Sequence, residues 1–182
     1  MAAEPIGASG NIETVQTTAD AGGSFEFIEV GPGRYLVGVD ITRRMRSEIV
    51  FPTTYHPGTS TVAQATIVEL AGGQHVELQP MRVPEARRKV RVTGRVVFEN
   101  GAPVDRALVS VNDGVARFRQ VAPAIYTAAD GAFGFDAHDG LSYSLNASYS
   151  VTAPAFKQVS RRSDAFVVSG DTTITIVLPP PQ

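Results

Sequence analysis

The side chains with reactive chemistry in this 182-residue chain are few: three histidines, eighteen acidic residues and no cysteine. His56 stands in the loop Tyr55-His56-Pro57-Gly58, His75 opens a run after Gly72-Gly73, and His138 lies in Asp136-Ala137-His138-Asp139. Structural and catalytic zinc sites draw on ligands at short recurring spacings. These three histidines are scattered, so no metal ligand is expected among them. Asp136-Ala137-His138-Asp139 is the densest polar cluster and could offer carboxylates to a hard cation. Asp and Gly are also what a tight turn needs, and Asp139-Gly140 is read here as a solvated hairpin turn. Serines are plentiful, yet no G-x-S-x-G element sets one up as a nucleophile. The expectation is a protein with no catalytic residue, no metal and no cofactor. Tyr55 and His56 are the candidate ligand-binding pair. Tyr55 lies between Pro52 and Pro57 in a Thr- and Gly-containing loop, where an exposed ring could stack on a sugar.

The composition narrows the partners. A net charge of -2 and a pI near 5.9 argue against nucleic acid, whose binders usually carry a basic face. Arg87, Arg88, Lys89 and Arg91 form one short basic cluster, read as a solvated hinge. No apolar run approaches the length that spans a bilayer. Met1-Ala2-Ala3-Glu4-Pro5 lacks the charged and apolar regions of a signal peptide. The absence of cysteine excludes disulfides and thiolate metal sites and leaves the compartment open.

Any site must be positioned by strands. Tyr143, Leu145, Ala147 and Tyr149 alternate with Ser142, Ser144, Asn146 and Ser148, the period of a half-buried antiparallel strand. The same period runs through Val92-Thr93-Gly94-Arg95-Val96, Thr173-Ile174-Thr175-Ile176 and Arg34-Tyr35-Leu36-Val37. In the second half, strands are expected near 90–99, 105–112, 115–120, 124–128, 132–136, 142–150, 164–168 and 172–178. Turn pairs such as Asn100-Gly101 and Asp130-Gly131 separate them. No segment carries a sustained helical stripe. The nearest, at 62–70, is one or two turns.

Two stretches about 108 residues apart repeat one unit, and such self-similarity marks duplicated architecture. Asp20-Ala21-Gly22-Gly23-Ser24-Phe25-Glu26-Phe27 precedes Gly33-Arg34-Tyr35. Asp130-Gly131-Ala132-Phe133-Gly134-Phe135 precedes Gly140-Leu141-Ser142-Tyr143. The domains are set at 1–84 and 90–182, with a linker at 85–89 where Pro84 and clustered charge interrupt the alternation. The first copy carries an insertion at about 41–73. It has one plausible strand, at 12–17, ahead of its turn, where the second has two. It is therefore expected to lack its opening strands, as a fragment of a longer chain would, and to be open to self-association.

Asp20-Ala21-Gly22-Gly23-Ser24-Phe25-Glu26-Phe27 followed by Pro32-Gly33-Arg34-Tyr35 resembles the carboxypeptidase regulatory-like domain of bacterial proteins. So do Val92-Thr93-Gly94-Arg95-Val96 with Gly101-Ala102-Pro103, and the loop around Tyr55-His56-Pro57-Gly58. The second copy departs from it in having His138-Asp139-Gly140 where the first has Gly31-Pro32-Gly33. The resemblance implies an all-β fold of two tandem Greek-key β-sandwich domains, similar to transthyretin and starch-binding-like folds. It also implies a non-catalytic spacer or interaction module of a bacterial cell-envelope or secreted protein. The partner would be another protein or a neighbouring domain of a longer chain. The alternative is a carbohydrate-binding module using the loop around Tyr55.

Overall fold

Alternation of side chains decides where the chain pairs. The structure is a computed structural model that describes residues 1–6, 14–42, 50–116, 119–152 and 156–181. It divides into two units, Met1–Ala86 and Arg87–Gln182. Among the described residues all regular structure is strand apart from one 3-10 turn, Val62–Gln64, within the segment read as the nearest to a helix.

In the first unit the strands are β1 (Ala2–Pro5), β2 (Val15–Gln16), β3 (Gly33–Val39), β4 (Thr54–Tyr55) and β5 (Ile67–Leu70). They form one sheet in the order β2-β1-β3, with β4 and β5 both on the far edge of β3. Because β3 is central it buries side chains on both faces. Leu36 packs with Ala2, Ile41 and Tyr55, and Tyr35 and Val37 pack with Ala3 on the other side.

The second unit has two sheets. Its strands are β6 (Lys89–Phe98), β7 (Leu108–Asp113), β8 (Ile125–Tyr126), β9 (Ala132–His138), β10 (Ser142–Val151), β11 (Lys157–Arg162), β12 (Phe166–Val167) and β13 (Thr172–Leu178). One sheet runs β11-β10-β7-β8 with β12 also on β10; the other runs β13-β6-β9. The chain switches sheets at β6–β7, β8–β9, β9–β10 and β12–β13, as a sandwich requires. Val92, Val96, Val109, Val111, Leu145 and Leu178 are fully buried. Phe135 meets Tyr143 edge to face at 6.0 Å, a favoured aromatic geometry.

The first unit repeats the larger sheet of the second. β1 pairs with β3 in the register that β7 makes with β10: Ala3 opposite Val37, as Val111 is opposite Leu145. β5 pairs with β3 as β12 pairs with β10. Three sequence readings are corrected by this. The first copy does not lack both opening strands, because Ala2–Pro5 takes the place of β7; no counterpart of β6 forms among the described residues. Ala2 and Ala3 are too small to give a legible apolar alternation, which hid that strand. The strand expected at 12–17 is reduced to Val15–Gln16, residues 11–13 lying outside the described residues. The stretch at 41–73 is not wholly an insertion, since Ile67–Leu70 has a counterpart in Phe166–Val167; residues 43–49 lie outside the described residues. In the second unit no strand forms at 115–120 among the described residues, and Gln120 makes only an isolated bridge to Asn112. Lys157–Arg162 pairs along β10, a strand absent from those expected above. It is an exposed polar edge, and with both faces largely in water it has no apolar alternation to display.

Phe133 is 7% exposed, and its counterpart Phe25 is only half-buried. Phe133→Ala is expected to destabilise the second unit by about 3–5 kcal/mol, and Phe25→Ala the first unit by distinctly less. Denaturant titration of both variants, with segment-resolved hydrogen exchange to separate the units, measures the difference.

Candidate functional site

The sequence-predicted pair Tyr55 and His56 does not form a surface platform. Tyr55 lies in β4 opposite Gly38. It is 9% exposed, with its side chain in the cluster of Ala2, Leu36 and Ile41. The loop closes over it: its amide donates to Thr59 O at 2.7 Å, and the amides of Gly58 and Thr59 donate to its carbonyl. His56 is 7% exposed and its Nε2 sits 3.1 Å from Gln79 O, tying residues 74–80 to this loop. The exposed ring expected of Tyr55 is therefore corrected to a core ring. Prolines and glycines around it mimic a surface loop in sequence, and the buried partners are distant in the chain.

His75 is exposed at the start of an unladdered segment. His138 ends β9, where its amide donates to the Tyr143 hydroxyl at 2.9 Å. The carboxylates beside it do not converge. Asp136 pairs with Arg91 at 2.8 Å. Asp139 accepts from the Gly170 amide at 3.2 Å through one oxygen and faces Arg88 through the other at 3.5 Å. Asp20 accepts from Gly22 and Ser24, Asp113 from Val115 and Ala116, Asp130 from Ala132, and Asp171 from Arg91, all through backbone amides. Among the described residues no group of three or more His, Asp or Glu could hold a metal ion.

The feature that sets the first unit apart is an unladdered second layer. Residues 20–24 fold into the same turn as residues 128–132. The Asp20 amide donates to Ser24 O at 2.9 Å, as Ala128 donates to Ala132 O at 2.9 Å, and Gly23 and Gly131 donate back to Asp20 O and Ala128 O. Both glycines have positive φ, 85° and 77°, which only glycine adopts without strain. In the second unit this turn leads into β9, paired along β6 from Lys89–His138 to Arg95–Ala132. In the first unit Phe25 and Phe27 hold the places of Phe133 and Phe135, but no strand forms. Among the described residues no backbone hydrogen bond reaches residues 25–28, and Ile28 is 74% exposed. Residues 75–78, which correspond to β13, are likewise unladdered. Around Gly131 an added Cβ would meet Val96 O of β6 at 2.4 Å; around Gly23 nothing lies within 4 Å. Phe25, Phe27 and Leu78 still pack on the cluster of Ala3, Tyr35 and Val37, so both segments lie on one face of the sheet.

The tyrosine of each repeat seals the turn before it. Tyr35 donates to Gly31 O at 2.8 Å, and Tyr143 accepts from the His138 amide. Burial pushes the Tyr143 phenol above its ordinary value; the His138 bond and Arg87 oppose this, and Asp113 adds to it.

No family model matches the chain, and no curated protein matches it in sequence. Two solved structures are partly similar. An ancillary pilin of Streptococcus aligns at 13% identity with a TM-score of 0.37, over 92% of this chain and 50% of that one. A 9R-lipoxygenase from Cyanothece PCC8801 aligns at 16% identity with a TM-score of 0.27, over 48% of this chain and 16% of that one. The chain thus spans half the length of the pilin and a smaller part of the lipoxygenase.

Tyr143→Phe is expected to destabilise the second unit by about 1–3 kcal/mol, because the His138 amide loses its acceptor. In the unsubstituted protein the Tyr143 phenol is harder to ionise when folded. Its contribution to stability should be complete below about pH 10 and decline above it. Denaturation midpoints across alkaline pH, compared with those of Tyr143→Phe, check both.

Proposed function

We propose that this chain is a non-catalytic β-sandwich spacer and interaction module of a bacterial cell-envelope or secreted protein, of the carboxypeptidase regulatory-like kind. The observation that carries the reading is the use of the carboxylates. Asp20, Asp113, Asp130, Asp139 and Asp171 each accept from backbone amides, and Asp136 pairs with an arginine. Acid, base and cation chemistry need such groups converging on a common point; here each one fixes a turn or a strand end. The described β-framework, with polar turns joining short strands, suits a module that holds neighbours apart or presents edges to them. The resemblance of the turn and Phe-x-Phe residues to the regulatory-like domains supports an envelope or secreted setting. Among the described residues no helix is long and apolar enough to cross a bilayer.

Fractionation of the producing bacterium with protease-accessibility mapping tests the setting: the chain should be recovered from the envelope or the medium. Recovery from the cytoplasm alone would contradict it. Protein purified without chelator should carry no stoichiometric metal, and one metal per chain by elemental analysis would overturn the reading of the aspartates as turn formers.

A further inference from the structure

The two sheets of the second unit turn different outer faces to solvent. On β6 the outward residues Lys89, Arg91, Thr93 and Arg95 are exposed, and the arginines face acid, Arg91 paired with Asp136 and Arg95 with Asp130. That is an ordinary solvated face, charged and balanced. On the larger sheet Val109, Val111, Leu145 and Ala147 are fully buried, so the even-numbered residues of β7 and β10 point outward. There the outward side chains of β7, β10 and β11 are Ser, Asn or Gln, except Leu108 and Arg162.

Cross-strand partners share a face. Ser110 is opposite Asn146, and Asn146 is opposite Arg162. Two residues along, Asn112 bridges to Gln120. Among the described residues these five side chains line an open depression of about 430 Å³, within the range of small-molecule sites. Two of the amides are already oriented. Asn112 Nδ2 donates to Ser110 O at 3.3 Å and Gln120 Nε2 to Ala122 O at 2.7 Å, which presents each side-chain oxygen as an acceptor. In the opposite direction along the strands, Leu108 is opposite Tyr126, so the Tyr126 ring stands on this same face. It is 65% exposed, yet its place is fixed. β8 pairs with β7, and the next residue, Thr127, is buried, with Oγ1 accepting from the Ala107 amide at 2.8 Å and donating to Val104 O at 2.6 Å. By the spacing of strands and residues, Tyr126 stands roughly 8 Å from Ser110 and roughly 12 Å from Asn146, backbone to backbone.

A fixed, exposed ring beside uncharged amides and hydroxyls suits a ligand with an apolar face and a rim of hydroxyl groups. Its C–H face stacks on the phenol ring, and its hydroxyls exchange hydrogen bonds with side chains that both donate and accept. A nucleic-acid strand would need several cations, and the outward residues of these strands offer Arg162. An apolar peptide would need more than Leu108 and Tyr126. We propose that the outer face of the larger sheet binds a neutral oligosaccharide, with one sugar unit on Tyr126 and a neighbouring unit in the depression at Ser110, Asn112 and Asn146. The separation of ring and depression calls for more than one sugar unit. The exposed ring that Tyr55 does not provide is provided here by Tyr126. This goes beyond the reading of the chain as a spacer and does not depend on its setting in the cell.

The probes are maltotetraose, cellotetraose, mannotetraose and N-acetylchitotetraose, each titrated into the full 182-residue chain while backbone amide shifts are followed by NMR. At least one should bind saturably, one per chain, and shift Ser110, Asn146 and Tyr126. The matching monosaccharide should bind at least about tenfold more weakly, because it reaches the ring or the depression and not both. Tyr126→Ala should weaken binding at least about tenfold and leave the denaturation midpoint in place, since the ring is exposed; Tyr126→Phe, which keeps the stacking face, should stay within about twofold. Asn146→Ala should weaken binding about fivefold to tenfold through its lost hydrogen bonds. Absence of saturable binding by all of the probes overturns the proposal, and does so even if the chain is found in the envelope, where the module reading would stand. Binding that Tyr126→Ala leaves intact also overturns it, as do shifts confined to residues outside β7, β8, β10 and Gln120. Tighter binding of octathymidylate or tetragalacturonate, lost with Arg162→Ala, would make the face a polyanion site and equally overturn it.

Discussion

Pairing on both sides of β6 is the constraint on which the second unit depends. One strand supplies the partner for β9 and for β13, and its Val92 and Val96 side chains fill the space between the sheets. Take that strand away and each neighbour loses its hydrogen bonds along one edge, while Phe133 and Phe135 lose their cover. Among its described residues the first unit displays that condition. Its turn, its phenylalanines and its central tyrosine strand are those of the second unit, yet residues 25–28 and 75–78 make no ladder. Extended backbone becomes a stable strand through pairing and a shared apolar face together. Phe25 and Phe27 have the face without the pairing.

Much of this was legible in the residues, and the failures have physical reasons. Ser142–Val151 and Lys89–Phe98 announced themselves because a strand with one wet face must alternate. Lys157–Arg162 did not, because it is an edge held by backbone bonds with little burial. Ala2–Pro5 did not, because alanines fill a thin part of the core without an apolar signature. The repeat itself was visible, but its aspartates misled the alignment of the turns. Asp20 opens its turn where Ala128 opens the other, and Asp130 stands one place before the glycine. The same geometry is reached with the carboxylate at two different positions, since either oxygen position can reach a free amide. The misplacement of Tyr55 came from reading Pro, Gly and Thr as a surface loop, when the ring beneath them closes a core cluster.

The aspartates and tyrosines explain how short strands with small cores are kept in register. A turn carboxylate that accepts two amides satisfies donors that would otherwise face water or the core. The tyrosine hydroxyls join each hairpin to its own approach, Tyr35 to Gly31 and Tyr143 to His138. These bonds fix the strand ends and leave the interior to aliphatic packing. The exposed ion pairs along β6 contribute little to stability in water; their consequence is a charge pattern that distinguishes the outer face of the middle strand.

Native-state hydrogen exchange on the free chain reports this difference between the units, because local stability follows backbone pairing. The account predicts that the β6-facing amides of Ala132–His138 and the amides shared by β6 and β13 exchange slowly, through global opening. It predicts that the amides of residues 25–28 and 75–78 exchange close to the rate of unstructured peptide. Comparable protection of residues 25–28 and Ala132–His138 would contradict it, since residues 25–28 would then be paired as β9 is.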